Sequence, residues 1–165
     1  MKSIQKFIKM HNTMTIATAS KKSASAAAVF YTPIKESKSL LFVSNEKSEH
    51  IMNCKENSHC AATIQEDGLD WSAIKGLQIK GKIGLANEKY WANYFEKYPY
   101  IKSDKVLSEA LEKVKLYEFK IKWVRMIDNS KGFGNREEYN LWISLQRFDG
   151  YENIQLLKHK LKSIK

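Results

Sequence analysis

The sequence predicts an α+β protein built on a small antiparallel β-barrel, with helices between and beside its strands. Two observations support this prediction. Six short segments alternate apolar and polar residues, and turn-forming residues separate most of them. Between these segments, apolar residues recur every three or four positions, as they do on one face of a helix. This mixture is typical of a small barrel that carries inserted helices.

The first half of the chain is predicted to form a helix, a hairpin, a third strand and a second helix. Residues 3–11 place their apolar side chains on one helical face. The alternating segments 13–19 and 24–31 flank a polar turn, which is the pattern of a β-hairpin. After them we expect a turn at 33–39, a strand at 39–44 and a helix at 47–57.

The second half is predicted to add three strands and two short helical regions. Gly81, inside the fifth strand, indicates a bulge or a bend. Apolar residues from 154 to 164 recur in steps of three and four, which predicts a C-terminal helix. We therefore divide the chain into a barrel domain, 1–144, and a helical extension packed on it, 145–165. The other predicted elements are strands at 60–64, 77–83 and 115–128, a helical region from Asn87 that breaks at Tyr98-Pro99, and a helix at 103–113.

Length, charge and apolar content narrow the class of protein. A chain of 165 residues is the size of one domain, and no apolar run approaches the roughly 18 residues of a membrane span. Lysines interrupt the N-terminal segment where a signal peptide would be apolar, so we expect a soluble cytoplasmic protein. The net charge of +10 favours anionic ligands, but its lysines are scattered, which argues against nucleic acid.

The passage from the third strand into the next helix carries groups suited to an anion. Ser44, Lys47, Ser48 and His50 provide an ammonium, two hydroxyls and an imidazole within seven residues. The free N–H groups and the positive dipole end of the helix favour the same kind of ligand, so the segment is a candidate phosphate site. The alternative is a plain capped helix, with Ser44 or Asn45 at the N-cap and the lysine and histidine solvated.

Cysteines and histidines give no metal pattern. Cys54 and Cys60 are expected to fill the core as small apolar groups; a redox pair would require Cα atoms within about 7 Å. His11 and His59 have no neighbours at metal-ligand spacing. Trp71, in a turn, either covers a ligand or partner or packs at a strand end, and the segment 132–134 predicts a tight turn with Phe133 buried.

The order of the elements and three short motifs resemble the FMN-binding split barrels related to pyridoxamine 5′-phosphate oxidase, and most closely their short YhbP-like branch. The resemblance covers residues 4–137. It implies a six-stranded antiparallel split barrel of Greek-key type with flanking helices. It also implies FMN as cofactor and a homodimer with the flavin at its interface. The motifs are Glu46-Lys47-Ser48-x-His50, Leu77-Gln78-Ile79-Lys80-Gly81 and Asp128-Asn129-x-x-Gly132-Phe133-Gly134.

The same resemblance implies a set of cofactor-binding residues. The second strand would run beside the isoalloxazine ring, and the strand-to-helix passage would hold the phosphate. Gln78 and Lys80 would lie near the same pocket, and Trp71 or the 132–134 loop of the partner chain would complete it. The implied cofactor-binding residues are Ala27, Ala28, Val29, Phe30, Ser44, Lys47, Ser48, His50, Gln78 and Lys80.

The implied function is that of an FMN-dependent oxidoreductase or flavin reductase acting on a small molecule, with NAD(P)H as a candidate electron donor. Two departures argue against true pyridoxamine 5′-phosphate oxidation. Ala27 replaces a phosphate-binding arginine of the oxidase, and Glu49-His50 replace its Arg-Lys pair. A non-enzymatic flavin- or haem-binding protein is the alternative, followed by a nucleic-acid-binding barrel that would use the aromatic and basic residues of 117–123. No catalytic residue is identified.

Overall fold

The structure, a computed structural model, describes residues 1–21 and 23–141. The predicted C-terminal helix and the boundary at residue 144 lie outside the described residues. None of the described helices combines the length and apolar composition needed to cross a membrane. The helices are α1 (Lys2–Met10), α2 (Glu49–Glu56), α3 (Trp91–Lys97) and α4 (Lys105–Leu111). The strands are β1 (Thr13–Ala19), β2 (Ala24–Ile34), β3 (Ser39–Ser44), β4 (His59–Gln65), β5 (Lys75–Leu85), β6 (Lys115–Asp128) and β7 (Arg136–Asn140).

Six strands close into an antiparallel barrel, as the sequence predicted. The strand order is β3-β2-β1-β4-β5-β6-β7, and β3 also pairs with β6, which completes the ring. The seventh strand, β7, pairs with β6 outside the ring and was not predicted. Its residues alternate only between exposed and half-buried, so the sequence carries no apolar alternation there.

The barrel interior is filled by alternate residues of the strands. In β1, Met14 and Ile16 are buried while Thr15 and Ala17 are exposed. Since successive side chains of a strand point to opposite faces, one face of β1 enters the core and the other faces outward. A smaller cluster between the barrel and α3 contains Ile34, Leu41, Tyr94, Tyr98 and Leu116.

Two strands differ from the prediction in their details. The predicted turn at 33–39 is shorter, because β2 continues through Pro33, which pairs with Leu40. Pairing with β1 stops at Phe30, so Pro33 has a neighbouring strand on one side only, where a proline is tolerated. The predicted bulge at Gly81 is confirmed by a register shift between β5 and β6 after Lys80.

Helices α1 and α2 lie near opposite ends of β6. Helix α1 buries one apolar face in the core and lies beside Met126. Helix α2 lies beside Tyr117, at the start of β6, and contacts β1 and β2. Ser44, the last residue of β3, pairs with Lys115 and therefore belongs to the α2 end of the barrel.

Candidate functional site

The turn between β3 and α2 positions the predicted phosphate-binding side chains. Asn45 directs this turn: its Oδ1 accepts a hydrogen bond from the Lys47 N–H at 2.8 Å, and its carbonyl accepts one from the Ser48 N–H at 3.1 Å. Helix α2 consequently begins at Glu49, with Ser48 as its N-cap. The prediction of Ser44 or Asn45 at the N-cap is wrong, because Asn45 forms the preceding turn.

Ser44, Ser48 and His50 form one hydrogen-bonded cluster at the start of α2. Ser44 Oγ lies 2.7 Å from His50 Nε2 and 3.0 Å from Ser48 Oγ. Ser48 Oγ lies 3.1 Å from His50 Nε2 and donates to the Asn45 carbonyl at 2.8 Å. The Ser44–Ser48–His50 cluster therefore brings two hydroxyls and an imidazole together beside the first N–H groups of a helix, which have no acceptor within that helix.

The ionisable residues in and next to the cluster are His50, Glu46, Lys47 and Glu49, and they differ in charge and in pairing. Burial lowers the pKa of His50, while the nearby carboxylate of Glu49 acts in the opposite direction, so the imidazole is neutral at neutral pH. Glu46 is engaged elsewhere, because it forms an ion pair with Lys115 at 2.6 Å. Lys47 is exposed and makes no ion pair within the described residues. Its ammonium is therefore free to pair with an anion.

The four predicted residues of β2 divide between the two faces of the strand. Ala27 and Val29 face inward and pack against the core, whereas Ala28 and Phe30 are exposed. Ala28 belongs to an outward surface that we call the alanine face, in which small residues lie opposite one another on neighbouring strands. It consists of Thr15, Ala17, Ala26, Ala28 and Ala61, all of them exposed.

Gln78 and Lys80 lie on the outer face of β5, three strands away from β2. The Lys80 ammonium lies 5.0 Å from the centre of the Trp123 ring, and Arg125 donates to Gln78 Oε1 at 3.4 Å. Trp123 is eight residues along β6 from Lys115, the partner of Ser44, or about 26 Å at the usual rise of a strand. Lys80 is thus distant from the Ser44–Ser48–His50 cluster, although it pairs with Ala61 and borders the alanine face.

Two aromatic side chains project from neighbouring loops. Trp71 is 79% exposed and Phe133 is 83% exposed. Asn129 joins the two loops, since its Nδ2 donates to the Trp71 carbonyl at 2.8 Å and its Oδ1 accepts from the Gly134 N–H at 3.0 Å. The prediction that Phe133 is buried is wrong. It lies between Gly132 and Gly134, whose positive φ angles of 119° and 73° form a tight turn that leaves the ring exposed.

Two features of the site were not predicted from the sequence. The direct hydrogen bond between Ser44 and His50 depends on the turn at Asn45, for which the asparagine itself is the signal. The assembly of Trp71 and Phe133 on adjacent loops depends on pairing between distant strands and has no local signal. Among the described residues, no three His, Cys, Asp or Glu side chains are arranged to hold a metal ion.

Comparison with known proteins decides the family. Residues 1–128 match the pyridoxamine 5′-phosphate oxidase family. The chain belongs to this family. Two UPF0306 proteins from strains of Campylobacter jejuni are each 26% identical to it over 136 residues. The alignment covers 82% of this chain and 95% of each relative.

Solved structures share the fold of this family member. ChuZ from Campylobacter jejuni superposes with a TM-score of 0.69 at 17% identity, over 85% of this chain and 58% of ChuZ. HutZ, described as the heme storage protein from Vibrio cholerae, superposes with a TM-score of 0.59 at 15% identity. That match covers 73% of this chain and 88% of HutZ. At these identities the likeness establishes a common fold.

Proposed function

We propose that the chain binds FMN, with the phosphate at the Ser44–Ser48–His50 cluster, and acts as an FMN-dependent oxidoreductase or flavin reductase on a small molecule. The observation that carries the proposal is the contact of 2.7 Å between Ser44 Oγ and His50 Nε2 at the start of α2. Membership of the pyridoxamine 5′-phosphate oxidase family supports a phosphorylated ligand there.

The donor set fits a phosphate group. Hydroxyl hydrogens rotate freely, so Ser44 and Ser48 can turn their O–H groups from their present acceptors toward phosphate oxygens. Neutral His50 can donate one N–H, and the first turn of α2 adds backbone N–H groups and the positive end of its dipole. Lys47 contributes the full charge. The cluster lacks a guanidinium, because Glu49 and Ala27 occupy the positions of basic residues in the oxidase, so we expect weaker FMN binding than in that enzyme.

The alanine face supports a homodimer. Five small exposed residues on three neighbouring strands form a surface without long or charged side chains. Such a face can pack closely on a second copy of the chain. In that arrangement Gln78 and Lys80 of the second copy would approach the flavin bound along β2.

The cofactor would supply the redox chemistry, and the chain would bind and orient it. Bound FMN accepts and releases two electrons, with NAD(P)H as the candidate donor. Ser44, Ser48 and His50 would bind its phosphate. The outward side of β2 would lie along the isoalloxazine ring. The oxidised substrate is a small molecule other than pyridoxamine 5′-phosphate.

Visible absorbance of the purified protein tests this proposal. We expect the flavin bands to shift when FMN is added, and flavin to be identified by mass in the chromophore released on denaturation. Anaerobic addition of NAD(P)H should then bleach the bound flavin. A protein whose addition leaves the FMN spectrum unchanged over a full titration would contradict the proposed cofactor.

Haem binding is the second candidate, and the similarity to the heme storage protein HutZ favours it. Haem propionates would use the same donors as a phosphate. In the described part of the chain, the histidines outside the cluster are His11 and His59. A Soret band that shifts on adding haemin, with no response to FMN, would establish this alternative.

A further inference from the structure

Cys54 and Cys60, the only cysteines of the chain, are in contact at a place that the proposed flavin site does not use. Their Sγ atoms lie 3.3 Å apart. Cys54 belongs to the second half of α2, and Cys60 is the second residue of β4. Both side chains are buried, with exposed fractions of 9% and 7%. The fold has thus brought two thiols together beneath the surface.

The geometry allows the two sulfur atoms to bond with little movement. A disulfide bond is about 2.05 Å long, so the sulfur atoms need to approach by only about 1.3 Å. They already form a hydrogen bond, which means that no other group separates them.

The contact also makes the two thiols unequal. Cys54 can donate its S–H to Cys60 Sγ, and this hydrogen bond lowers the pKa of Cys60. The same bond and burial raise the pKa of Cys54. Cys60 Sγ also donates to the Ser58 carbonyl at 3.4 Å, so oxidation requires one of these hydrogen-bonded thiols to lose its proton and become a thiolate, the reactive form of a cysteine.

A surface pocket reaches this pair. It has a volume of about 220 Å³ and Cys54 forms part of its wall. Ile51, Ile83 and Tyr117 contribute apolar surface, and the charged residues of the wall are Lys55 and the ion pair of Lys115 with Glu46. A molecule as small as hydrogen peroxide fits this space, where it meets Cys54 in the wall, and Cys60 Sγ lies 3.3 Å from Cys54 Sγ.

We infer that Cys54 and Cys60 are a dithiol that hydroperoxides oxidise to an intramolecular disulfide. The thiolate of one cysteine attacks one oxygen of hydrogen peroxide, the O–O bond breaks, and hydroxide leaves as that cysteine becomes a sulfenic acid. The other cysteine then attacks the oxidised sulfur, the S–O bond breaks, and the departing hydroxide takes the proton of the attacking thiol to form water. In total, two thiols lose two electrons and two protons, and the peroxide is reduced to two waters. The new bond ties the second half of α2 to the start of β4.

Intact mass spectrometry of the full chain tests this inference. The reduced, folded protein is treated with increasing hydrogen peroxide and then with an alkylating reagent. We expect the main product to be lighter by two hydrogen atoms, to resist alkylation, and to yield a peptide that links Cys54 to Cys60. A dithiol reductant should restore the original mass and both reactive thiols.

Matched variants separate the pair from a single reactive cysteine. In Cys54→Ser the remaining Cys60 should stop at a sulfenic acid, which a dimedone-type reagent traps, or gain further oxygen atoms. Cys60→Ser should form no intramolecular disulfide, so its mass should not fall by two hydrogen atoms. The inference is overturned if the folded wild-type chain gains oxygen atoms instead, if it cross-links only between chains, or if the linkage forms only in denaturant. The wild-type measurement decides the matter even if a serine variant does not fold.

Discussion

Ser44 Oγ and His50 Nε2 lie 2.7 Å apart across the turn that joins β3 to α2. The contact exists because Asn45 turns the chain back before the helix begins. As a result, the last residue of a barrel strand and the first turn of a helix present their polar groups together. The proposed phosphate site depends on this one relationship.

Replacing Lys47 and Ser48 together by alanine should weaken FMN binding without unfolding the protein. The change removes the exposed ammonium and one hydroxyl of the cluster. A hydrogen bond to a charged group contributes about 1.5–3 kcal/mol, so we expect the Kd for FMN to rise by about ten- to a hundredfold. Flavin fluorescence titration measures this change, and circular dichroism checks the fold.

The matched control for this variant is the double substitution Lys105→Ala and Ser108→Ala. It removes the same two residue types from the exposed surface of α4. The FMN affinity of the control should equal that of the wild type. Equal affinity of the wild type and the Lys47/Ser48 variant would place the phosphate elsewhere.

The unfolding free energy of the ligand-free protein should fall below pH 6.5 in part because of His50. Burial lowers the pKa of its imidazole in the folded chain below the ordinary value of 6.5. Above that pH both folded and unfolded chains hold a neutral imidazole. As the pH falls below 6.5, His50 of the unfolded chain binds a proton more readily than His50 of the folded chain. The stability that the neutral, buried imidazole contributes is therefore lost. Denaturant unfolding at several pH values should therefore give a shallower decline for His50→Gln.

His59→Gln is the control for the pH experiment. It makes the same substitution at an exposed histidine at the start of β4, outside the cluster. We expect the wild-type dependence on pH in this variant. If the unfolding free energies of His50→Gln and the wild type decline equally as the pH falls, burial of His50 does not contribute to the loss of stability in acid.

Ala28→Arg should prevent formation of the proposed dimer. The substitution places a long charged side chain in the middle of the alanine face, where packing against a second copy would bury it. Burying an unpaired charge costs several kcal/mol, so the dimer dissociation constant should rise by about a hundredfold or more. Analytical ultracentrifugation measures the dimer dissociation constant. FMN binding should weaken as the dimer is lost.

Ala110→Arg provides the same chemical change on the exposed surface of α4. It should leave the oligomeric state and the FMN affinity unchanged. A wild-type protein that sediments as a monomer at every concentration, or an Ala28→Arg variant that remains dimeric, would contradict an interface at the alanine face.

Gly81→Ala should destabilise the barrel, whereas Gly84→Ala on the same strand should not. A Cβ at Gly81 would overlap the Lys120 carbonyl oxygen and lie 2.6 Å from Phe119 Cε1. A Cβ at Gly84 meets nothing within 4 Å. We expect a loss of about 3 kcal/mol at Gly81 and a change within about 0.5 kcal/mol at Gly84, measured by denaturant unfolding. Similar losses of unfolding free energy in the two variants would show that β5 and β6 can move apart at the bulge and accommodate the added Cβ.

Much of the fold followed from local patterns. Alternation in β1 identified a strand with one buried face, and Gly81 identified the bulge. Patterns of this kind are local because a side chain's face is set by the period of its own element. Strand β7 was missed for the same reason, since its pairing with β6 buries little apolar surface and leaves no alternation to detect.

The sequence by itself determined the family, the barrel and the chemical types at the turn after β3. Only the tertiary structure decided how these residues meet. It placed Ser44 against His50, exposed Phe133 and kept Lys80 far from the cluster. It also brought Cys54 to 3.3 Å from Cys60. The physical reason is that local periodicity specifies which way a side chain points from its own element, whereas distances between elements depend on barrel closure, strand register and turn geometry.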